Sequence, residues 1–338
     1  MIHNTHAPAP ARHPLTTALF VTLLAFFAPT HAHPGGSPQS PPTAAPPQAH
    51  LSVVATTTFI ADVTAAVAAG RADITTLIPA GKNPHAYQPT PRALVTLERA
   101  DIVFVNGLGL EETLLDTVTS VATGPVVTVS DGIKTLTGHS HGDDVSHNDD
   151  HAQDNQDPPD PHVWFSPVNI LVWITNIETA LRAIDPAGAE TYRANAAGYR
   201  AEIAELDRYI RRQVSTVPPH RRTLVMDHTT LNYFARDYGF TILGSVIPAT
   251  TDQAEPSAKS VAALSDLLSH TDVPTIFIGN TAGDGLRSLI STVAKESGRD
   301  IRVQTLLTGS LAPKGNPGDT YLGFIRYNTT RIVEGLTR

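Results

Sequence analysis

Short apolar runs alternate with helical patterns twice along this chain, with one long helical pattern between the two series. That rhythm constrains the fold more than any other feature. Runs at Leu51–Thr57, Ile74–Pro79, Ile102–Asn106 and Val126–Ser130 read as buried strands. A second set follows at Thr223–Asp227, Thr241–Ile247, Thr275–Gly279 and Ile301–Leu307. Helical stretches lie between them. One is Pro91–Ala100, where Thr90 can cap and Pro91 suits the first helical position. Strand–helix alternation of this kind predicts parallel sheets covered by helices. From Pro186 to about Val214, residues Tyr192, Ala196, Tyr199, Ile203, Leu206 and Ile210 recur at steps of three and four. At 1.5 Å per residue this helix reaches about 40 Å, long enough for a strut between two lobes. A helix packed inside one larger domain is the other reading of the same pattern.

Two stretches stand apart. Residues 33–50 hold six prolines and almost no bulky apolar groups, which reads as a flexible tether. Residues 137–159 hold four His, six Asp and no Lys or Arg, which reads as a disordered polar loop; His139, His141, His147 and His151 make it either a weak, multi-site binder of divalent metal or a solvated acidic linker, and composition favours neither. Before the tether, the uncharged run Leu15–Ala28 follows Arg12 and precedes Thr30-His31-Ala32, the pattern of a secretory signal peptide. The expected organisation is a signal peptide at 1–32, the tether at 33–50, an α/β lobe at 51–185, a linking helix at 186–216 and a second α/β lobe at 217–338.

The chain has no cysteine. That excludes a disulfide framework, a thiolate metal site, a thiol nucleophile and an acylated-cysteine anchor. With the leader, it predicts a periplasmic or secreted protein. There are 24 Lys+Arg against 32 Asp+Glu, a formal net charge of -8, which argues against nucleic acid as a partner because counterion release needs clustered basic groups. The 15 His point to nitrogen-based metal handling.

Three histidines sit where strands end and loops begin: His85 in GKNPHAYQP, His162 in DPHVW and His228 after TLVMD. Sites in open α/β sheets form beyond the carboxyl ends of strands, so three imidazoles could converge there on one zinc ion. Asp160 and Asp227 stand close enough in sequence to orient the rings of His162 and His228. Taken singly, each histidine reads more readily as a surface or hydrogen-bonding residue than as a ligand. No GxSxG, P-loop, dinucleotide fingerprint or HExxH is present, and the glycines of Asn106–Glu111 read as a tight turn before a helix.

Together the segments NPHAYQPTP, LERADIVFVNGLGLE, DPHVWFSPVN, the Asp185-Pro186…Tyr192…Asn195…Tyr199 helix, DHTTLNYFARDYGF, AEPSA and TYLGFIRYN resemble the metal-specific solute-binding proteins of bacterial ABC importers, the zinc/manganese group, over about residues 51–335. The resemblance implies two α/β lobes, each a parallel sheet flanked by helices, joined by one long rigid helix with metal in the cleft. It places ligands on His85, His162 and His228, with Glu111 near the site. A His at the third position, together with the His-rich loop, resembles the zinc subgroup, so Zn²⁺ is the expected cargo and Mn²⁺ the less favoured one. The segment that resembles TDSL in relatives reads Leu307-Thr308-Gly309-Ser310-Leu311, so Gly309 stands where a fourth, carboxylate ligand is expected. The expected protein is a monomeric, non-enzymatic carrier that hands the ion to an ABC permease and has no other small-molecule substrate. A His₃ zinc hydrolase or hydratase and a surface adhesin or metal buffer are the alternatives.

Overall fold

The computed structural model describes residues 50–137, 158–247 and 257–337. The leader run, nearly all of the tether, most of AEPSA and the loop histidines His139, His141, His147 and His151 lie outside the described residues. The first half contains β1 (Leu51–Ala55), α1 (Thr58–Ala68), β2 (Ala72–Thr76), α2 (Pro91–Glu98), β3 (Ile102–Val105), α3 (Glu112–Val121), β4 (Val126–Thr128) and α4 (Pro167–Ile184). α5 (Ala189–Val214) follows. The second half contains β5 (Thr223–His228), α6 (Asn232–Tyr238), β6 (Thr241–Ile247), α7 (Ala258–His270), β7 (Thr275–Gly279), α8 (Asp284–Glu296), β8 (Arg302–Leu306) and α9 (Tyr321–Thr337). Each half carries one parallel four-stranded sheet, ordered β2-β1-β3-β4 and β6-β5-β7-β8. The two-lobed α/β expectation holds.

Strand periodicity explains the layering. Successive side chains point to opposite faces, so a sheet covered on both sides reads as a continuous apolar run. Val53, Ala55, Ile102 and Phe104 join the central core, while Val54, Val103 and Val105 pack on the other face with Leu97 of α2 and Leu114 of α3. In the second half Leu224, Met226 and Phe277 face the central core, and Val225, Ile276 and Ile278 face Leu264 of α7 and Ile290 of α8. Every strand read from the sequence is present. The largest difference is β2, which runs from Ala72 to Thr76 and so starts two residues before and ends three residues before the expected Ile74–Pro79. Ala72 and Asp73 lack the bulky side chains that mark a buried strand, and they pair on an edge of the sheet.

Tyr192, Ala196, Tyr199, Ile203, Leu206, Ile210 and Val214 form the buried stripe of α5. The helix packs against α1 and α4 from the first half and against α9 and α6 from the second. It bridges the halves as expected, but not as a bare strut, because its stripe lies inside a core that both halves share. Thr90 caps α2 through Ala93 N at 3.3 Å, with Pro91 as the first helical residue. Among the described residues no helix is long and apolar enough to cross a membrane.

Both sheets change strand direction of growth at their second strand in spatial order. β1 is followed by β2 on one side and flanked by β3 on the other; β5 stands likewise between β6 and β7. The carboxyl ends of such strands open a crevice in which ligands bind.

Candidate metal centre

His228 is the last residue of β5 and is thus carried by the strand at the second sheet's switch point. His85 sits in a single 3-10 turn, Pro84–Ala86, after β2. Asn83 starts that turn by accepting the His85 N–H at 2.9 Å, and Pro84 fixes its first position. His162 follows a stretch whose ends are closed by the antiparallel bridge between Thr137 and Pro159 and by the Asp160 N–H donating to Leu136 O at 2.8 Å.

All three rings are buried, and they converge. One nitrogen from each of His85, His162 and His228 lies within 4.8 Å of the others. His85 Nε2 and His162 Nε2 are 3.2 Å apart. The edge of a tetrahedron with Zn–N bonds of about 2.0–2.1 Å is about 3.3 Å, so this spacing suits two donors to one ion. The cavity they line offers about 10 Å³, room for one water-sized particle and not for an organic substrate. Asn83, Trp164, Thr230, Thr281, Thr308 and Gly309 complete much of its wall. Among the described residues no carboxylate lines it.

Two aspartates prepare the rings. Asp160 Oδ1 accepts from His162 Nδ1 at 2.8 Å and from the His162 backbone N–H at 2.9 Å. With Nδ1 carrying the proton, Nε2 keeps its lone pair for the cavity. Asp227 Oδ1 accepts the backbone N–H of His228 at 3.0 Å and lies 3.4 Å from its Nδ1, while Oδ2 accepts Gly279 N–H at 2.8 Å. Burial pushes the Asp227 carboxyl up, but His228 and the two backbone N–H groups hold it below the usual carboxylate range. The His85 imidazole is pushed down to about 2, first by burial and then by the neighbouring His162 and His228. A neutral imidazole is the form that ligates metal.

Glu111 is buried but does not line the cavity. It accepts from Thr56 Oγ1 at 2.6 Å and from the N–H groups of Asn106 and Gly107 at 2.7 and 3.0 Å. It thereby fixes the turn after β3, where Gly107 adopts φ +79° and a Cβ would meet Thr128 at 2.4 Å. Asn106 in turn donates to Pro161 O at 3.1 Å, one residue before His162. Burial pushes the Glu111 carboxyl up, against the pull of those hydrogen bonds.

Gly309 does line the cavity. Its φ lies outside the left-handed region, so the backbone there does not demand glycine. The neighbours do: a Cβ would meet Thr281 Cγ2 and Oγ1 at 2.8 Å and Pro84 Cδ at 3.3 Å. Sequence reasoning missed Trp164, Thr281 and Thr308 as wall residues. Trp164 lay in plain view inside DPHVW; its Nε1 donates to Thr308 O at 3.2 Å and its ring meets the His162 ring edge-on at 5.2 Å. Thr308 lay in the 307–311 segment already singled out, beside Gly309, while nothing in the sequence marked Thr281.

Two parallel-sheet halves on a bridging helix, with three buried imidazoles converging over an ion-sized space, define the class: an α/β protein with a candidate site for a divalent metal. The chain belongs to the ZnuA family, zinc-uptake complex component A, periplasmic, matched over residues 53–335. It is 31% identical over 288 residues to the manganese-binding lipoprotein MntA of Halalkalibacterium halodurans, covering 85% of this chain and 89% of that one. It is 28% identical over 295 residues to the iron ABC transporter substrate-binding lipoprotein MtsA of Streptococcus pyogenes serotype M1, covering 85% and 89%. Its fold matches the periplasmic zinc binding protein TroA from Treponema pallidum with a TM-score of 0.76 at 25% identity, covering 86% of this chain and 100% of that one. This is a metal-binding substrate-binding protein of an ABC importer, a system in which such a component works with a permease and an ATPase.

One expectation is overturned. MntA and MtsA are named lipoproteins, held at the cell surface by lipid, which contradicts the unanchored periplasmic or secreted location. A location outside the cytoplasm stands. The expectation came from missing cysteine, and a missing residue type speaks to one attachment chemistry, not to whether a carrier is tethered where its permease is.

Proposed function

We propose that this protein captures Zn²⁺ with His85, His162 and His228 as its ligands and presents the ion to the permease of an ABC importer. The observation that carries the reading is the donor set: three buried imidazoles and, among the described residues, no carboxylate on the cavity wall. Imidazole suits zinc, whereas manganese prefers carboxylate, carbonyl and water oxygens. The relatives are named for manganese, iron and zinc, so membership of the family leaves the metal open and the ligands must supply the argument. Zinc also accepts a tetrahedral shell completed by water, which fits a glycine at position 309. In this reading residues 51–185 and 217–338 are the two lobes, 186–216 links them, and the carrier works as a monomer.

Competition titration on the full chain tests it, with zinc set against manganese and ferrous iron and followed by calorimetry. Zinc binds at least about 100-fold more tightly than manganese if nitrogen donors alone hold the ion, following the general order of divalent affinities. Comparable affinity for manganese overturns the assignment.

A further inference from the structure

The group that orients His162 is itself held from the opposite half of the molecule. Asp160 and His162 follow β4 and precede α4, in the first half. Asn232 and Tyr233 open α6, four and five residues beyond His228, in the second. Asn232 Nδ2 donates to Asp160 Oδ2 at 3.0 Å. Tyr233 OH donates to Asp160 O at 2.8 Å and accepts the Leu136 N–H at 3.1 Å. Both carboxylate oxygens of Asp160 are therefore engaged, one by His162 and one by Asn232, and its backbone is locked by the Tyr233 hydroxyl. The next residues cross over as well: Trp164 Nε1 donates to Thr308 O at 3.2 Å, and Tyr321 OH donates to Trp164 O at 2.9 Å.

We infer that Asn232 and Tyr233 are positioning residues for metal retention. They hold the His162 imidazole, through Asp160, in register with His228, so that parting α6 from the Asp160–Ser166 segment turns His162 away and frees the ion. The inference rests on His162 being a ligand. It has a physical consequence for handover. A permease that shifts one half against the other needs no contact with the buried imidazoles, because the contact it disturbs is the pair of bonds from α6 to Asp160. Outer hydrogen bonds of this kind typically change metal affinity by about 10–100-fold. The Tyr233 ring is fully buried and packs in the central core, so Tyr233→Phe keeps the packing and removes only the hydroxyl.

The test is zinc release from the full chain into a chromophoric chelator by stopped flow, with the Co²⁺ absorption spectrum of each variant as a reporter of coordination. Asn232→Ala and Tyr233→Phe should each release zinc about 10-fold faster or more and alter the Co²⁺ spectrum, while Asn232→Gln restores part of the difference. In a His162→Ala background the same two changes should have no further effect, since the route from α6 to the ion is already cut. Wild-type release rates in both single variants, with His162→Ala losing tight zinc, overturn the positioning role alone. Tight zinc retained in His162→Ala overturns the ligand assignment and this inference with it. If Asn232→Ala misfolds, Tyr233→Phe and Asn232→Ser give the same readout with less disturbance.

Discussion

His85 Nε2 and His162 Nε2 stand 3.2 Å apart although 77 residues separate them in the chain. Two imidazole nitrogens at that distance cannot both carry protons. The arrangement is stable when the rings are neutral and share one hydrogen, or when both lone pairs meet a cation. Burial of the His85 ring makes its charged form costly.

Each ligand assignment has a direct check. A carrier at a thousandfold excess of zinc over Kd gains about 4 kcal/mol, which for a chain of this size raises Tm by roughly 10 °C. His85→Ala, His162→Ala and His228→Ala should each lose most of that zinc-induced rise in scanning calorimetry. A full rise in any one variant removes that residue from the centre.

The metal-free protein should lose stability in acid. His85 is neutral in the folded state down to about pH 2, whereas in the unfolded chain it takes up a proton below about pH 6.5. The unfolded state then binds one more proton, so its share of the stability is present above about pH 6.5 and falls by about 1.4 kcal/mol per pH unit below it. Denaturant unfolding of wild type and His85→Gln between pH 7 and pH 4 reads this out, and the variant should show the shallower slope.

Placing a carboxylate back at position 309 should fail at first. The Cβ of Gly309→Asp presses on Thr281 and Pro84, and overpacking of this kind costs about 1–3 kcal/mol. Thr281→Ala removes both of the atoms at 2.8 Å. The double variant should therefore recover the lost Tm and release zinc more slowly than wild type, while Gly309→Asp alone melts lower.

Replacing residues 138–157 by a short Gly-Ser turn should leave the tight zinc phase unchanged. Thr137 and Pro159 already pair in an antiparallel bridge, so a turn of a few residues can close the gap. A calorimetric titration should show fewer total zinc ions and the same high-affinity phase. Loss of that phase would mean that the segment supplies a ligand.

The strands were legible because a sheet covered on both faces demands continuous apolar runs, and Ile102–Val105 and Thr275–Gly279 announce themselves in that way. The stripe of α5 was legible because its apolar residues keep helical spacing over 26 residues. The three histidines were singled out by an expected place at strand ends, which holds for His228 alone, since His85 lies in a 3-10 turn past β2 and His162 in a loop far beyond β4; each one alone also read as an ordinary surface residue. Glu111 was placed near the centre by resemblance; its actual work, holding the turn that carries Asn106, depends on hydrogen bonds with no sequence signature.

By itself, then, the sequence determined the layers, the bridging helix and the supply of nitrogen donors, because periodicity and residue chemistry are local properties. Tertiary structure alone decided which donors meet, how closely and facing what. His85, His162 and His228 come from a 3-10 turn, a loop and a strand end whose distance is set by the packing of two sheets on one shared core. Thr281 and Pro84 crowd any side chain at position 309, and Asn232 reaches Asp160 from the far half of the molecule. Those contacts join residues remote in the chain, and no spacing rule along a sequence records a distance across a fold.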